Sequence, residues 1–303
     1  MTVINTAPVR TDRLSFYQKF HTTVDVLRLD LIHPVISGNK WFKLQKYLAD
    51  AVTAGKKGIV TFGGAWSNHI VATAAACHLQ GLQSVGIIRG ERPATPSHTL
   101  KQAAAFGMQF HFISREEYKN SPMTAALNLV SDAQHWYIVP EGGYGPKGME
   151  GAATILDLLQ TDNLTHIICA AGTGTMAAGL LAGSRPQHQV VAISVLKNNH
   201  GLADAITALS GPQERTRLQV QHEYHAGGYA KYDDALLSFM NDWFRHTGIP
   251  SDFVYTGKLF RAVDDMIKTG WFPGNSHLLV IHSGGLQGNR SLPKGTLIFE
   301  PVE

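Results

Sequence analysis

Cysteine is nearly absent. Two residues, Cys77 and Cys169, stand among 303, each inside an apolar stretch, so no disulfide framework is available and both read as small core side chains. Charge of one sign is lacking too: Lys and Arg number 26 against 23 Asp and Glu, leaving +3. That balance gives no electrostatic footprint for nucleic acid or for a membrane surface, and a substrate-sized ligand is the expected partner. Long apolar runs are missing. No window reaches the roughly 18 uncharged apolar residues of a membrane helix. The opening MTVINTAPVRTDRLSFYQKF has no apolar signal core, so a cytoplasmic protein is expected. The 15 histidines are dispersed without metal-ligand spacing, and the pair His222 and His225 has no third ligand beside it, so no metal is expected. Only 16% of residues are charged and 44% are hydrophobic, which excludes global disorder and describes a largely buried globule.

What is present is an alternation of short apolar runs, bounded by glycine, with longer segments of helical period. It indicates parallel sheets covered by helices. The strand candidates are Val24 to Leu29, Gly58 to Phe62, Ser84 to Ile88, Gln109 to Ile113, Trp136 to Val139, His166 to Ala170, Gln189 to Val195, Leu218 to Tyr224 and Leu278 to His282. Helical spacing marks Trp41 to Ala54, Asn68 to Gln80, Thr99 to Phe106, Gly148 to Gln160, Met176 to Ala182, Asp233 to Arg245 and Leu259 to Lys268. These strands exceed one ordinary sheet of about five or six, so two sheets in two domains are expected. The densest Gly and Pro cluster, Pro140 to Gly148, reads as a loop that crosses between domains or approaches a ligand.

In open α/β sheets ligands bind beyond the carboxyl ends of strands, which directs attention to three turns. In Ile167 to Ala177 a strand runs into Gly172, Thr173, Gly174 and Thr175 and then a helix. Glycines that let amides close on an anion, two hydroxyls and a helix start form a phosphate cradle. No Lys-Ser/Thr pair makes it a nucleoside-triphosphate loop, and no acid after the next strand makes it a dinucleotide fingerprint; an ordinary strand-to-helix turn is the alternative. In Thr61 to Ile70 a helix begins near Ser67 or Asn68, which are either N-caps or donors to a substrate carboxylate. In Ser37 to Lys43 a glycine turn sets Lys40 on the first turn of a helix, where the dipole disfavours it. It is either a solvated lysine or an amine kept reactive by partial burial.

Together, a phosphate cradle, a reactive lysine and an anion-binding Ser-Asn turn are the parts that hold pyridoxal phosphate and an amino-acid carboxylate. The ordered set Gly38-Asn39-Lys40 with Lys43-Leu44, Gly63-Gly64 with Ser67-Asn68-His69, Tyr255-Thr256-Gly257-Lys258 and His282-Ser283-Gly284-Gly285 resembles the 1-aminocyclopropane-1-carboxylate deaminase and D-cysteine desulfhydrase family. That family belongs to the tryptophan synthase β-like, fold type II, pyridoxal-phosphate enzymes, and the resemblance runs from about Pro8 to Ile298. It implies two α/β domains, each a mostly parallel twisted sheet flanked by helices, with the cofactor in the cleft between them. The smaller domain is expected over 45–150 and the larger over 1–44 plus 151–303, in a homodimer.

By resemblance, Lys40 holds the cofactor as a Schiff base and moves the substrate Cα proton. Asn68 meets the cofactor's phenolic oxygen, and Ser67 with the amides of Asn68 and His69 meets the substrate carboxylate. The phosphate goes to Gly172, Thr173, Gly174 and Thr175. Tyr255 faces the ring, and Tyr229, in HAGGYA rather than the family's Gly-Tyr-Gly, is either a second active-site tyrosine or a plain one. Thr256 and Ser283 stand where the deaminase branch has Glu and Leu and the desulfhydrase branch has small hydroxyl residues. A hydroxyl offers the pyridine nitrogen only a neutral hydrogen bond, enough for β-elimination and weak for cyclopropane opening. The expected reaction is α,β-elimination on a small amino acid, with D-cysteine preferred, 1-aminocyclopropane-1-carboxylate or a serine-like substrate as the alternatives, and a non-catalytic anion binder as a rival of another class. Two departures from the family pattern bear on the substrate: Arg28-Leu29-Asp30 where Arg-Asp-Asp is common, and Trp66 before Ser67, expected either to pack under the helix or to narrow the pocket.

Overall fold

The computed structural model describes residues 4–120, 123–124, 132–159 and 163–299. Ten strands form two sheets. The larger has the order β1 (Thr11–Arg13), β2 (Thr22–Arg28), β10 (Ser276–His282), β7 (His166–Ala171), β8 (Gln189–Ser194) and β9 (Leu218–Gln221); the smaller runs β5 (Gln109–Ile113), β4 (Gln83–Arg89), β3 (Gly58–Gly64) and β6 (Trp136–Val139). All pairings are parallel except β1 with β2. The central strands are apolar on both faces, as parallel strands covered by helices must be; every residue of β7 is buried.

All nine expected strands are present. The short polar edge strand β1 was not expected, and β9 ends at Gln221, so His222 and His225 lie in the turns beyond it. The helices are α1 (Asn39–Thr53), α2 (Asn68–Leu79), α3 (His98–Ala105), α4 (Arg115–Asn120), α5 (Pro146–Ala153), α6 (Thr175–Gly183), α7 (Leu202–Ser210), α8 (Asp234–Thr247) and α9 (Thr256–Lys268). α4 and α7 were not expected. The segment expected to be helical to Gln160 is α5 followed by a 3-10 turn, Thr154–Leu158, and Gln160 itself lies outside the described residues. The starts of α3 and α8 are fixed by side chains: Ser97 Oγ accepts from Leu100 N at 3.1 Å and Asp233 Oδ1 from Leu236 N at 2.7 Å.

One apolar cluster joins the facing layers of both sheets. Leu44 and Leu48 of α1, Ala72 and Ala76 of α2, Ile59 and Val139 of the smaller sheet meet Ala152, Ile167, Cys169 and Leu180 of the larger side. Cys77 and Cys169 are buried free thiols in this layer, and burial pushes each up to about 12, which makes them inert core residues. The Pro140 to Gly148 segment, expected as a loop, holds a 3-10 turn, Glu141–Gly143, after β6 of the smaller sheet, and its last residues, Pro146 to Gly148, already belong to α5, which packs on α1 and α6.

Two loops interlock between the sheets. Gly38 takes φ +66 directly before α1, and a side chain there would stand 1.8 Å from Ser283 O, just past β10. Asn39 N donates to that same oxygen at 3.2 Å, and Gly38 N donates to Leu29 O at 3.0 Å. Below them Arg28 is buried and held by Asp30 at 2.9 and 2.7 Å and by Asp12 at 2.8 Å. Gly38→Ala adds a left-handed alanine and a collision with backbone, so it should cost at least about 2 kcal/mol and lower the midpoint of thermal unfolding. A variant with an unchanged melting temperature would refute this account of the loop.

Candidate active site

The turns singled out in the sequence converge. Those carrying Ser67, Gly142, Gly172 and Ser283 all follow the carboxyl ends of parallel strands, β3, β6, β7 and β10, and Lys40 on the first turn of α1 stands among them. Lys40 Nζ donates to Asn39 Oδ1 at 2.7 Å and lies 5.8 Å from the centre of the Tyr255 ring. Burial lowers its pKa to about 8, and Asp252 nearby acts in the opposite direction. No ion pair holds Lys40 among the described residues. A solvated surface lysine does not fit; an amine partly neutral near pH 8 does.

Ser67 occupies the N-cap position of α2, yet its side chain makes no capping bond, and the first amides of α2 are those of Asn68 and His69. Asn68 Nδ2 reaches Gly285 O at 3.5 Å, while its Oδ1 is buried without a partner. His69 is buried against Thr61 Oγ1 at 2.8 Å, and that hydroxyl donates to Val139 O at 2.9 Å. The His69 proton therefore sits on Nε2, and Nδ1 is a bare acceptor, itself unpartnered. Burial, then Lys43 and Lys40, hold its pKa well below the usual histidine range, so the ring is neutral. Trp66, beside this turn, is 49% exposed. Packing under the helix is thereby corrected: the loop carries the indole outward.

In the cradle, Gly174 has φ +84, α6 begins at Thr175, and the Thr173 and Thr175 hydroxyls are 3.0 Å apart. Gly172 lies against the Tyr255 ring, 3.5 Å from where a Cβ would sit. Tyr229, 42% exposed, meets Tyr255 edge-on with ring centres 6.2 Å apart. Burial raises both pKa values, so both remain protonated at neutral pH. Thr256 and Ser283 are buried nearby. His282 is buried with Nε2 bonded to Pro250 O at 2.7 Å and Nδ1 accepting from Gly284 N at 3.2 Å.

Two residues of this cluster were not singled out for it in the sequence. Lys43 is buried, lies near the Gly142 and Gly143 backbone that touches Thr173, and has its pKa pushed well below the lysine range by burial and by Lys40. Its position three residues after Lys40, on the same helix face, is the signal that could have found it. Asp252 is buried against the Thr256 hydroxyl at 2.7 Å. An acid just before a helix start is its only sequence mark.

The pyridoxal-phosphate dependent enzyme family matches residues 2–284. The chain belongs to this family. A Pyrococcus abyssi protein provisionally named a 1-aminocyclopropane-1-carboxylate deaminase is 30% identical over 282 residues, covering 88% of this chain and 85% of its own. The mitochondrial bifunctional D-cysteine desulfhydrase/1-aminocyclopropane-1-carboxylate deaminase of Arabidopsis thaliana is 30% identical over 295 residues, covering 88% of this chain and 73% of its own. The crystal structure of an ACC deaminase homologue has the same fold, with a TM-score of 0.81 at 24% identity over 95% of this chain and 92% of that one.

This pyridoxal-phosphate dependent enzyme carries groups that fit its cofactor. The amine of Lys40 lacks an acidic partner, the buried Asn68 Oδ1 is orphaned, and the glycines of the cradle leave amides and hydroxyls open at a helix start. Because Lys40 loses its proton near pH 8, cofactor-free protein should take up pyridoxal phosphate faster as pH rises through about 8, and then level. An ordinary lysine would carry that rise to about 10.4. Loading followed by the growth of visible absorbance checks this, and a midpoint above 10 would contradict the burial argument.

Proposed function

We propose that the enzyme is a lyase catalysing α,β-elimination on a small amino acid, with D-cysteine and water giving pyruvate, hydrogen sulfide and ammonia. The observation that carries this reading is the amine of Lys40, held in no ion pair among the described residues and lying beside Tyr255, with the unused cap of α2 in the same cluster. A mere anion pocket needs no such amine. When bound, pyridoxal phosphate supplies an aldehyde for amines and a ring that draws off the electron pair left at Cα.

The chain's own groups do the rest. Ser67 Oγ and the amides of Asn68 and His69 receive the substrate carboxylate, with the positive end of α2 behind them. On the family resemblance Asn68 and Tyr255 would orient the cofactor, and Thr256 and Ser283 would stand on the side of its ring nitrogen. Gly172, Thr173, Gly174 and Thr175 would hold the phosphate, with the Lys43 amine near the Gly142 and Gly143 backbone beside them. Lys40 Nζ takes the Cα proton as the Cβ–S bond breaks and sulfur leaves with that bond's electrons. Tyr229 and Tyr255 stay protonated and so can hold or give a proton near the departing group. The division into 45–150 and 1–44 plus 151–303, the homodimer and the cytoplasmic location belong to this proposal on the family resemblance.

Ring-opening deamination of 1-aminocyclopropane-1-carboxylate is the second reading, favoured by Asp252, a carboxylate one hydrogen bond behind Thr256. At matched concentrations the enzyme should release pyruvate and sulfide from D-cysteine and little 2-oxobutanoate from the cyclopropane; a higher kcat/KM for the cyclopropane would replace the first reading by the second. Lys40→Ala should fold and lose essentially all turnover, whereas retention above about a tenth would shift the role to Lys43. Replacing Thr173 and Thr175 together by Ala should weaken cofactor retention on dialysis more than it lowers kcat at saturating cofactor. Full occupancy after dialysis would place the phosphate elsewhere.

A further inference from the structure

We infer that Lys258 is a positioning residue for this reaction: its buried amine grips the carbonyl of Gly228 and so fixes Tyr229 against Tyr255 at the mouth of the site. The inference rests on the reading above in giving Tyr229 a part in the chemistry. What it adds is a role for the last member of the Tyr255-Thr256-Gly257-Lys258 motif, which no step of that reaction employs.

Lys258 is completely buried, and its Nζ donates to Gly228 O at 2.7 Å. Asp252 and Asp233 are the acids that act on it, neither as a salt-bridge partner among the described residues, and burial outweighs them, lowering its pKa to about 8. An amine keeps a proton to donate in either state. A methionine would fill the same space without the cost of burying an amine, so packing alone does not account for the residue. The carbonyl does.

Gly228 O and Tyr229 N belong to one planar peptide unit, so an oxygen held in place sets the plane from which Tyr229 departs. The turn around it needs such a hold. Ala226 (φ +47), Gly227 (φ +88), Gly228 (φ +124) and Ala230 (φ +52) all take the left-handed side of backbone space, which costs the two alanines most. Gly227 N donates to His225 Nδ1 and Gly228 N to His225 O, both at 3.0 Å, and Lys231 N reaches Gly228 O at 3.2 Å. Those bonds close the turn on itself; the bond from Lys258 ties it to α9.

Lys258 stands three residues beyond Tyr255, about one turn along α9. The same stretch of helix therefore presents both the ring that Tyr229 meets edge-on and the amine that grips the peptide before it. Tyr255 is the inner of the two phenols, beside Lys40 Nζ and Gly172, whereas Tyr229 is exposed. A side chain so open to solvent is not fixed by packing, and its place over the inner tyrosine depends on the backbone that carries it.

The test compares wild-type holoenzyme with Lys258→Met, Gly228→Ala, Tyr229→Phe and the double variant Lys258→Met/Tyr229→Phe. Gly228→Ala strains the gripped peptide at φ +124 and leaves the amine in place. Hydrogen exchange of the 225–231 segment is read by mass spectrometry, kcat/KM on whichever of D-cysteine and the cyclopropane is turned over, and folding by melting. The wild-type segment should be protected, and in Lys258→Met it should exchange at least about tenfold faster while the strands of both sheets do not change. Each single variant should lower kcat/KM about tenfold or more, and the double should lose no more than the greater of its two singles. A wild-type segment that exchanges like an open chain overturns the proposal outright, even where Lys258→Met fails to fold. Full turnover in folded Lys258→Met or Gly228→Ala, or losses that add in the double variant, overturn it and leave Tyr229 its part. Full turnover in Tyr229→Phe removes that tyrosine from the chemistry, and a wild type that turns over neither substrate removes the reaction; either result overturns the underlying reading and the proposal with it.

Discussion

The backbone contact between Gly38 and Ser283 is what the rest of the site depends on. Lys40 is carried by α1 and Ser283 to Gly285 by the end of β10, elements far apart in the chain. Their loops mesh so closely that a side chain at Gly38 would meet Ser283 O at 1.8 Å and one at Gly284 would meet Ser37 Oγ at 2.5 Å. Gly285 in turn receives Asn68 from the smaller sheet's side at 3.5 Å. A fixed chain of short contacts therefore ties the amine, the β10 loop and the start of α2, which is how a site assembled from two sheets keeps sub-ångström registration.

Within that frame the charges are ordered and largely uncompensated. Burial drives Lys40 and Lys43 toward neutrality, Lys40 adds to the effect on Lys43, and burial followed by the two lysines keeps His69 neutral. Asp252 lies behind Thr256, supported by backbone donors instead of a salt bridge. Buried charge without a partner is costly in a finished protein interior, and it becomes favourable once a ligand of opposite polarity arrives. A dianionic phosphate would have that polarity at the proposed cradle beside the Lys43 amine.

Much of the fold was legible because strands buried on both faces read as apolar runs whatever their neighbours. β1 escaped because Thr-Asp-Arg on an exposed edge has no such mark. α7 escaped although Leu202, Ala203, Ile206 and Leu209 have helical spacing, since the segment sits between glycine-bounded stretches that read as loop. In the site, Lys40, Asn68 and the threonine cradle were legible because each stands in a strand-to-helix or loop-to-helix turn. Lys43 was legible only as a member of the Lys40 motif, since its approach to Gly142 and Gly143 is tertiary, and Asp252 was not legible, because what distinguishes it is its place under a hydroxyl four residues on. Trp66 illustrates the reverse case: of its two expected readings, packing under the helix fails because the loop geometry exposes the indole.

The start of α2 breaks ordinary rules at several successive positions, and the breaks share a direction. Substituting a used cap costs about 1 kcal/mol, so a serine in the cap position that makes no capping bond forgoes that gain. The next two residues add the orphaned Asn68 Oδ1 and His69 Nδ1, and Thr73 Oγ1, one turn further, is unpartnered as well. Buried polar atoms left unpaired each cost about 1–3 kcal/mol, and chance scatter would not gather them at one helix end beside a lysine that no ion pair holds. Local disagreement of this kind is expected where the partner is a ligand instead of the protein. The free Ser67 hydroxyl can donate to a carboxylate, whereas Asn68 Oδ1 and His69 Nδ1 are acceptors that only a donor on the ligand would relieve, so binding and local order are coupled at the amino end of α2.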